Sequence, residues 1–348
     1  MVELWFGIAA LTITAYVVLD GFDLGAGALH HVVARSDAER RQVLAAIGPF
    51  WDGNEVWLLA TGGVLFVAFP PVLAAGLSGF YFAIFLVLWT LILRGVAIEF
   101  RSHLEDHLWR AAWDAIFAAA SATLPVLFGA ALGNLVRGLP LDRDGWFSLT
   151  LFTDWSAAPP VGILDWYSVS CGAFALIALA GHGATYLAWK TDGPVHERSH
   201  RLAGRLYALV AVLWPVLTLL TFRVNAPMLG ALPARPLAWA ALAAAVLGLV
   251  GVRIGLRRGR PLHAFLSSCG FLGGMLAATA ACAFPVMLRS VPDADLSLTA
   301  YNSGVPAASL RTALAWSLLA FPLVALYFAT LFRLHRGKAV AASAREGY

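Results

Sequence analysis

Long apolar stretches recur along the whole chain, separated by short polar links. Windows of about 20 or more apolar residues, the length that crosses a hydrocarbon core as a helix, fall at 4–31, 42–69, 72–100, 111–136, 162–189, 202–222, 237–256, 262–288 and 313–334. The pattern predicts an all-α membrane protein with nine transmembrane helices. Two links are longer than the rest, 137–161 and 290–310, and their Pro, Gly, Asp and Ser content marks them as ordered outer loops. They divide the spans four, four and one: a first bundle in 1–136, a second in 162–289, and a ninth helix with a cytoplasmic tail in 311–348. No link is long enough for a separate soluble domain.

Polar residues inside these windows demand an explanation. The stretch PFWDGNEVWLLATGG, 49–63, carries Asp52, Asn54 and Glu55, and one ionised acid near the bilayer centre costs about 2.5 to 3.5 kcal/mol on insertion scales. A spacing of three puts Asp52 and Glu55 on one helix face. Asp20 and Asp23 repeat that spacing in the first window, and Arg94 and Glu99 stand near the inner end of the third. Carboxylates in excess over cations in low dielectric should leave some of them neutral, and a group poised between two protonation states can relay protons. Mutual pairing, or pairing with Arg94 and backbone groups, would instead make them props that hold helices together. The glycines flanking them, Gly21, Gly25, Gly27, Gly53, Gly62 and Gly63, suit local water or close helix packing equally. Asp52, Asp23, Glu55, Asp20 and Glu99 are therefore the candidate proton-pathway residues, supported by Trp51, Asn54, Trp57, Arg94 and His182.

Composition and charge add direction. At 60% hydrophobic and 13% charged over 348 residues, the chain is too apolar for a soluble domain. Of its 24 basic residues, about 18 follow odd-numbered spans and about six lie on the other face, which predicts the N-terminus outside and the C-terminus in the cytoplasm. Asp52 then lies about ten residues, roughly 15 Å at the helical rise, into a span entered from the cytoplasm. Asp23 is expected at a similar or shallower level. No cleavable leader precedes the first window, so it reads as a retained span.

Cofactor ligands are sparse. Eight of the nine histidines sit at or beyond the cytoplasmic ends, and only His182 lies within a span, where a hydrogen-bonded core role is favoured over ligation. Haem on this chain is not expected, since transmembrane haems draw axial His or Met from span interiors. Cys171, Cys269 and Cys282 show no metal or disulfide spacing and read as buried thiols. Neither a nucleotide fingerprint nor a nucleophile elbow is present, and no nucleic-acid partner is indicated.

The runs LDGFDLGAGAL, IGPFWDGNEVWLLATGGVLFVAFP, SGFYFAIFLVLWTLILRGVAIEFR, GNLVRGLP, GATYLAWKTDG and SLTAYN, in this order on nine spans, closely resemble subunit II of cytochrome bd-type quinol oxidase. Agreement covers nearly the whole chain and weakens after Phe284. The resemblance implies two four-helix bundles plus a ninth peripheral helix, pseudosymmetric with subunit I, the partner that carries the haem b and haem d groups and the quinol site. It implies quinol oxidation coupled to reduction of O2 to water, with protons drawn from the cytoplasm and a contribution to the proton motive force. Asp52 and Asp23 match the family's acids on a route towards the oxygen-reducing haem; Glu55, Asp20 and Glu99 join them by position. A structural quinone within this subunit, a small single-span accessory subunit and the bacterial plasma membrane belong to the same expectation. Two other classes share parts of the pattern: a proton-coupled secondary transporter and a purely structural membrane subunit. An inverted-repeat transporter usually pairs halves with odd numbers of spans, whereas the division here is four, four and one.

Overall fold

A computed structural model describes residues 1–340; the last part of the expected cytoplasmic tail, 341–348, lies outside the described residues. The first apolar window becomes α1 (Val2–Ala28), which steps at Leu29 into α2 (His30–Val33). The short α3 (Asp37–Ile47) opens with a capping box, Ser36 accepting from the Glu39 backbone while the Glu39 carboxylate accepts from the Ser36 backbone. Then come α4 (Trp51–Ala68), α5 (Pro70–Gly79), α6 (Tyr81–Phe100) and α7 (His107–Arg137). The second half contains α8 (Trp166–Lys190), α9 (Gly193–Val224), α10 (Ala226–Gly230), α11 (Pro236–Arg257), α12 (Pro261–Ala283), α13 (Ala300–Ser303) and α14 (Ala307–Leu334). Between α12 and α13 the strands β1 (Val286–Leu288) and β2 (Leu298–Thr299) pair antiparallel.

Local chemistry sets most of the boundaries. Asp106 and Asp165 cap α7 and α8 by accepting backbone N–H groups of the first turn. Proline stands in the first turn of α5, α9, α11 and α12, where a missing N–H costs nothing.

Among the described residues, eight helices are long and apolar enough to cross a membrane: α1, α6, α7, α8, α9, α11, α12 and α14. Besides the step at Leu29 near the end of the first window, two of the nine windows are broken well inside their length. The window at 42–69 divides at Gly48–Phe50 into α3 and α4, because Pro49 lacks the N–H that an uninterrupted helix would use. α4 carries the polar Asp52, Asn54 and Glu55 in its first turns and falls outside the eight. The window at 72–100 divides at Phe80 into α5 and α6.

Helix α1 is the axis of the molecule, packed against α4, α7, α8 and α12. Its contact with α8 is backbone on backbone: a Cβ added at Gly25 would lie 1.9 Å from the Leu179 carbonyl oxygen. Around that contact Phe22 stacks on Tyr186 at 4.0 Å, with Phe50 and Phe265 edge-on to the pair. At the far edge, α14 buries only Leu310. Its C-terminal end is nonetheless tied down. After Leu334 the chain folds back over the end of α8, where the Lys190 ammonium donates to the carbonyls of His335 and Gly337. Ala339 N–H donates to Lys190 O at 2.7 Å, and Lys338 Nζ donates to Thr191 O at 2.9 Å. Phe332 stacks on Phe50 at 4.8 Å in the same place.

Candidate functional site

The polar residues of α1, α4 and α6 converge where these helices meet. Arg94 of α6 is fully buried and grips Asp20 of α1 with both arms, Nη1 to Oδ2 at 2.9 Å and Nη2 to Oδ1 at 2.6 Å. The same Nη2 reaches Glu55 of α4 at 3.4 Å. One turn along α1, Asp23 accepts from Asn54 Nδ2 at 2.7 Å, and that amide also donates to Leu19 O at 3.1 Å. A bidentate guanidinium–carboxylate pair is geometrically the most demanding of protein ion pairs. Here it binds α6 to the central helix.

Several atoms of this site lack a hydrogen-bond partner among the described residues: Asp23 Oδ1, Asn54 Oδ1, Arg94 Nε and Trp57 Nε1. Two acceptors and two donors left open in one buried cluster make the setting in which ordered water forms its usual two to four bonds. Trp51 lies with its ring against Gly95, 3.3 Å from where a Cβ there would sit, and Trp57 packs beside Phe328.

Two of the expected pathway residues stand apart. Asp52 is exposed in the first turn of α4, and Glu99 is exposed near the end of α6. The depth expected for Asp52 assumed one helix from residue 42 onward; the break at Gly48–Phe50 removes that run. Asp23 pairs with Asn54, two residues further along α4. Asp52 is thus nearer the start of α4 than the level of Asp23, not beyond it. His182 is enclosed, its Nε2–H donating to Val18 O at 2.9 Å and its Nδ1 lying 2.7 Å from Ser268 Oγ. Both ring nitrogens are engaged, so the side chain does not fit a haem-ligand role, and no three His, Cys, Asp or Glu among the described residues group as metal ligands.

A second polar centre was not singled out from the sequence. Asp114 of α7, fully buried, accepts from His30, Arg101 and Arg40. Arg101 also donates to Asp37 at 2.8 Å. Burial works against the charge of Asp37, but the Arg101 hydrogen bond and the nearby Arg41 and Arg110 outweigh it and hold its carboxyl below the usual range. Glu39 is held low too, chiefly by the hydrogen bond from Arg198. An acid inside the apolar window 111–136 was the available signal for Asp114. Its partners lie 13 to 84 residues away in sequence, and one sequence carries no trace of those pairings.

Fold and site together define a polytopic all-α membrane protein built round a buried arginine–carboxylate cluster. The sequence profile of one family, cytochrome bd terminal oxidase subunit II, matches residues 1–335, and the chain belongs to that family. It is 36% identical over 209 residues to cytochrome bd-I ubiquinol oxidase subunit 2 of Escherichia coli (strain K12), a match covering 60% of this chain and 54% of that protein. With cytochrome bd ubiquinol oxidase subunit 2 of Bacillus subtilis (strain 168) it shares 33% over 210 residues, 60% of each chain. The match thus spans little more than half the length of these curated relatives. In fold it is similar to a chain of the bd oxidase from Geobacillus thermodenitrificans, with a TM-score of 0.73 at 17% identity, covering 96% of this chain and 98% of that one.

Proposed function

We propose that this chain is subunit II of a cytochrome bd-type quinol oxidase in the bacterial plasma membrane, paired with a haem-bearing subunit I. The complex would oxidise quinol and reduce O2 to water with protons taken from the cytoplasm. The observation that carries the reading is the buried cluster of Arg94, Asp20, Glu55, Asp23 and Asn54 on a chain of this family. Subunit I holds the haems in this reading, since His182 is spent on hydrogen bonds. Haem supplies the oxygen chemistry there; this chain's residues hold and move protons.

The polar residues divide that work. Asp20, clamped by Arg94, positions helices. Asp52, exposed in the first turn of α4, receives protons at the cytoplasmic end; Glu55 lies one turn deeper, and Asp23 keeps an open oxygen towards the cluster. In this reading α4 is a ninth crossing: its 18 residues extend about 27 Å at the helical rise, close to the roughly 30 Å of a hydrocarbon core. The N-terminus is then outside and the C-terminus inside.

A structural quinone is assigned to the apolar cavity of about 250 Å³ between α1, α7, α8, α9 and α12. Phe128, Phe174, Trp214 and Met275 wall it, and at its edge the Tyr167 hydroxyl donates to Thr221 Oγ1 at 2.8 Å, which in turn donates to Leu217 O. Solvent extraction of the purified complex followed by mass spectrometry should recover a quinone, and less of it after Ala175→Phe, a substitution in the α8 wall of this cavity.

The deciding experiment is Asp52→Asn in the two-subunit complex. It keeps the volume and most hydrogen bonding but removes the titrating group. The complex should assemble with its haems, read by optical spectrum, and lose most quinol-driven oxygen uptake. Full uptake with normal assembly would end the relay reading.

A further inference from the structure

Asp114 gathers three segments onto one carboxylate. His30 Nε2–H, from α2, donates at 2.8 Å; Arg101, just past α6, donates through Nε at 2.6 Å and Nη2 at 3.1 Å; Arg40 of α3 donates through Nη1 at 3.2 Å. Arg101 passes the connection on to Asp37, the first residue of α3, at 2.8 Å, and Arg110 of α7 approaches Asp37 at 3.5 Å. Helix α3 is therefore held at its start through Asp37 and one turn later through Arg40. Its far end is held by Tyr186, whose hydroxyl donates to Ala46 O at 2.6 Å.

Helix α3 leads directly into the helix that carries Asp52. It ends at Ile47, and after Gly48, Pro49 and Phe50 comes Trp51, the first residue of α4, with Asp52 next. The linker is itself closed by Gly48 N–H to Leu44 O at 2.7 Å and Phe50 N–H to Ile47 O at 2.8 Å. A shift of α3 is thus transmitted to the first turn of α4.

We propose that Asp114 is the positioning residue of the cytoplasmic proton entrance, fixing α3 and through it the place of Asp52. The proposal rests on the proton-receiving role of Asp52. Stability alone is a poor reason to bury such a group, because apolar replacements of buried ion pairs are often neutral or stabilising, whereas a buried charge network can enforce one geometry. Nothing in the cluster touches the Arg94 site directly among the bonds described, so Asp114 acts through α3.

Two variants in the two-subunit complex test this, Asp114→Asn and Arg40→Gln. The second removes the direct strut between α3 and Asp114 and leaves His30, Arg101 and the Arg101–Asp37 bond in place, so it tests the α3 contact even where Asp114→Asn fails to assemble. Four readouts are needed: haem per complex, quinol KM, the rate of proton uptake when the fully reduced complex meets O2, and amide exchange over residues 37–52. Haem content and KM should stay as in the wild type, exchange should rise, and proton uptake should slow about tenfold or more, since misplacement of a reacting group by an ångström costs rates of that order. Faster exchange with uptake at the wild-type rate would make the cluster a purely structural brace and overturn the proposal. Unchanged exchange and unchanged uptake would overturn it as well. Asp52→Asn in the same assay separates the two claims: wild-type uptake there sinks the relay itself, while slow uptake there with normal uptake in Arg40→Gln sinks the positioning role alone.

Discussion

Arg94 and Asp20 show what a single buried pair demands of its neighbours. Each is almost wholly enclosed, with Glu55 as the next carboxylate within reach. Removing one member of such a pair leaves the other charge stranded, which costs about 3 to 5 kcal/mol. Arg94→Leu alone should therefore cut the yield of haem-loaded complex sharply. The double variant Arg94→Leu with Asp20→Leu should recover much of it, because the fully buried carboxylate leaves with its cation and only the part-exposed Glu55 loses a partner; failure of the double variant to improve on the single one would contradict the pairing. The acids, Arg94 and Asn54 were legible in the sequence as polar residues in apolar windows. Who pairs with whom was not, since Asp20 and Arg94 are 74 residues apart. The exposed place of Asp52 was hidden for a different reason: hydropathy averages over a window and does not register the break at Pro49.

At the scale of elements, the contact of α1 with α8 and the anchoring of α3 lead to two expectations. Gly25→Ala would drive a methyl into the Leu179 carbonyl, and overpacking of this kind costs about 1 to 3 kcal/mol. Gly204→Ala in α9, where nothing lies within 4 Å of the added carbon, should be tolerated or slightly stabilising. Thermal unfolding of the purified complex compares them. For α3, the sign of the pH effect comes from Glu39, whose carboxyl Arg198 holds low. A depressed folded-state value contributes stability that is present above the unfolded value and is lost as pH falls through the folded one. Arg198→Gln should accordingly raise amide exchange in α3 at pH 7, with the difference from wild type fading below about pH 4. The Arg198–Glu39 pair is still partly open to solvent, at 20% and 18% side-chain exposure, which keeps the effect small. Window length made the long helices legible, while the splitting of 42–69 and 72–100 depended on single residues whose effect is local.

For the whole molecule, the proposed orientation is open to direct measurement. A reporter placed near Gly145, between α7 and α8, is expected on the outer face, in line with the basic-residue asymmetry; a cytoplasmic signal there would reverse the proposed direction of proton entry. The folding-back of residues 335–340 over α8 bears on how such a protein is made. Lys190 is synthesised with α8, yet the carbonyls that satisfy its nearly buried ammonium come from His335 and Gly337, about 145 residues later on the ribosome. A nascent chain therefore has that ammonium facing water at the end of α8 until α14 has been delivered to the membrane, and one interrupted before residue 335 never encloses it.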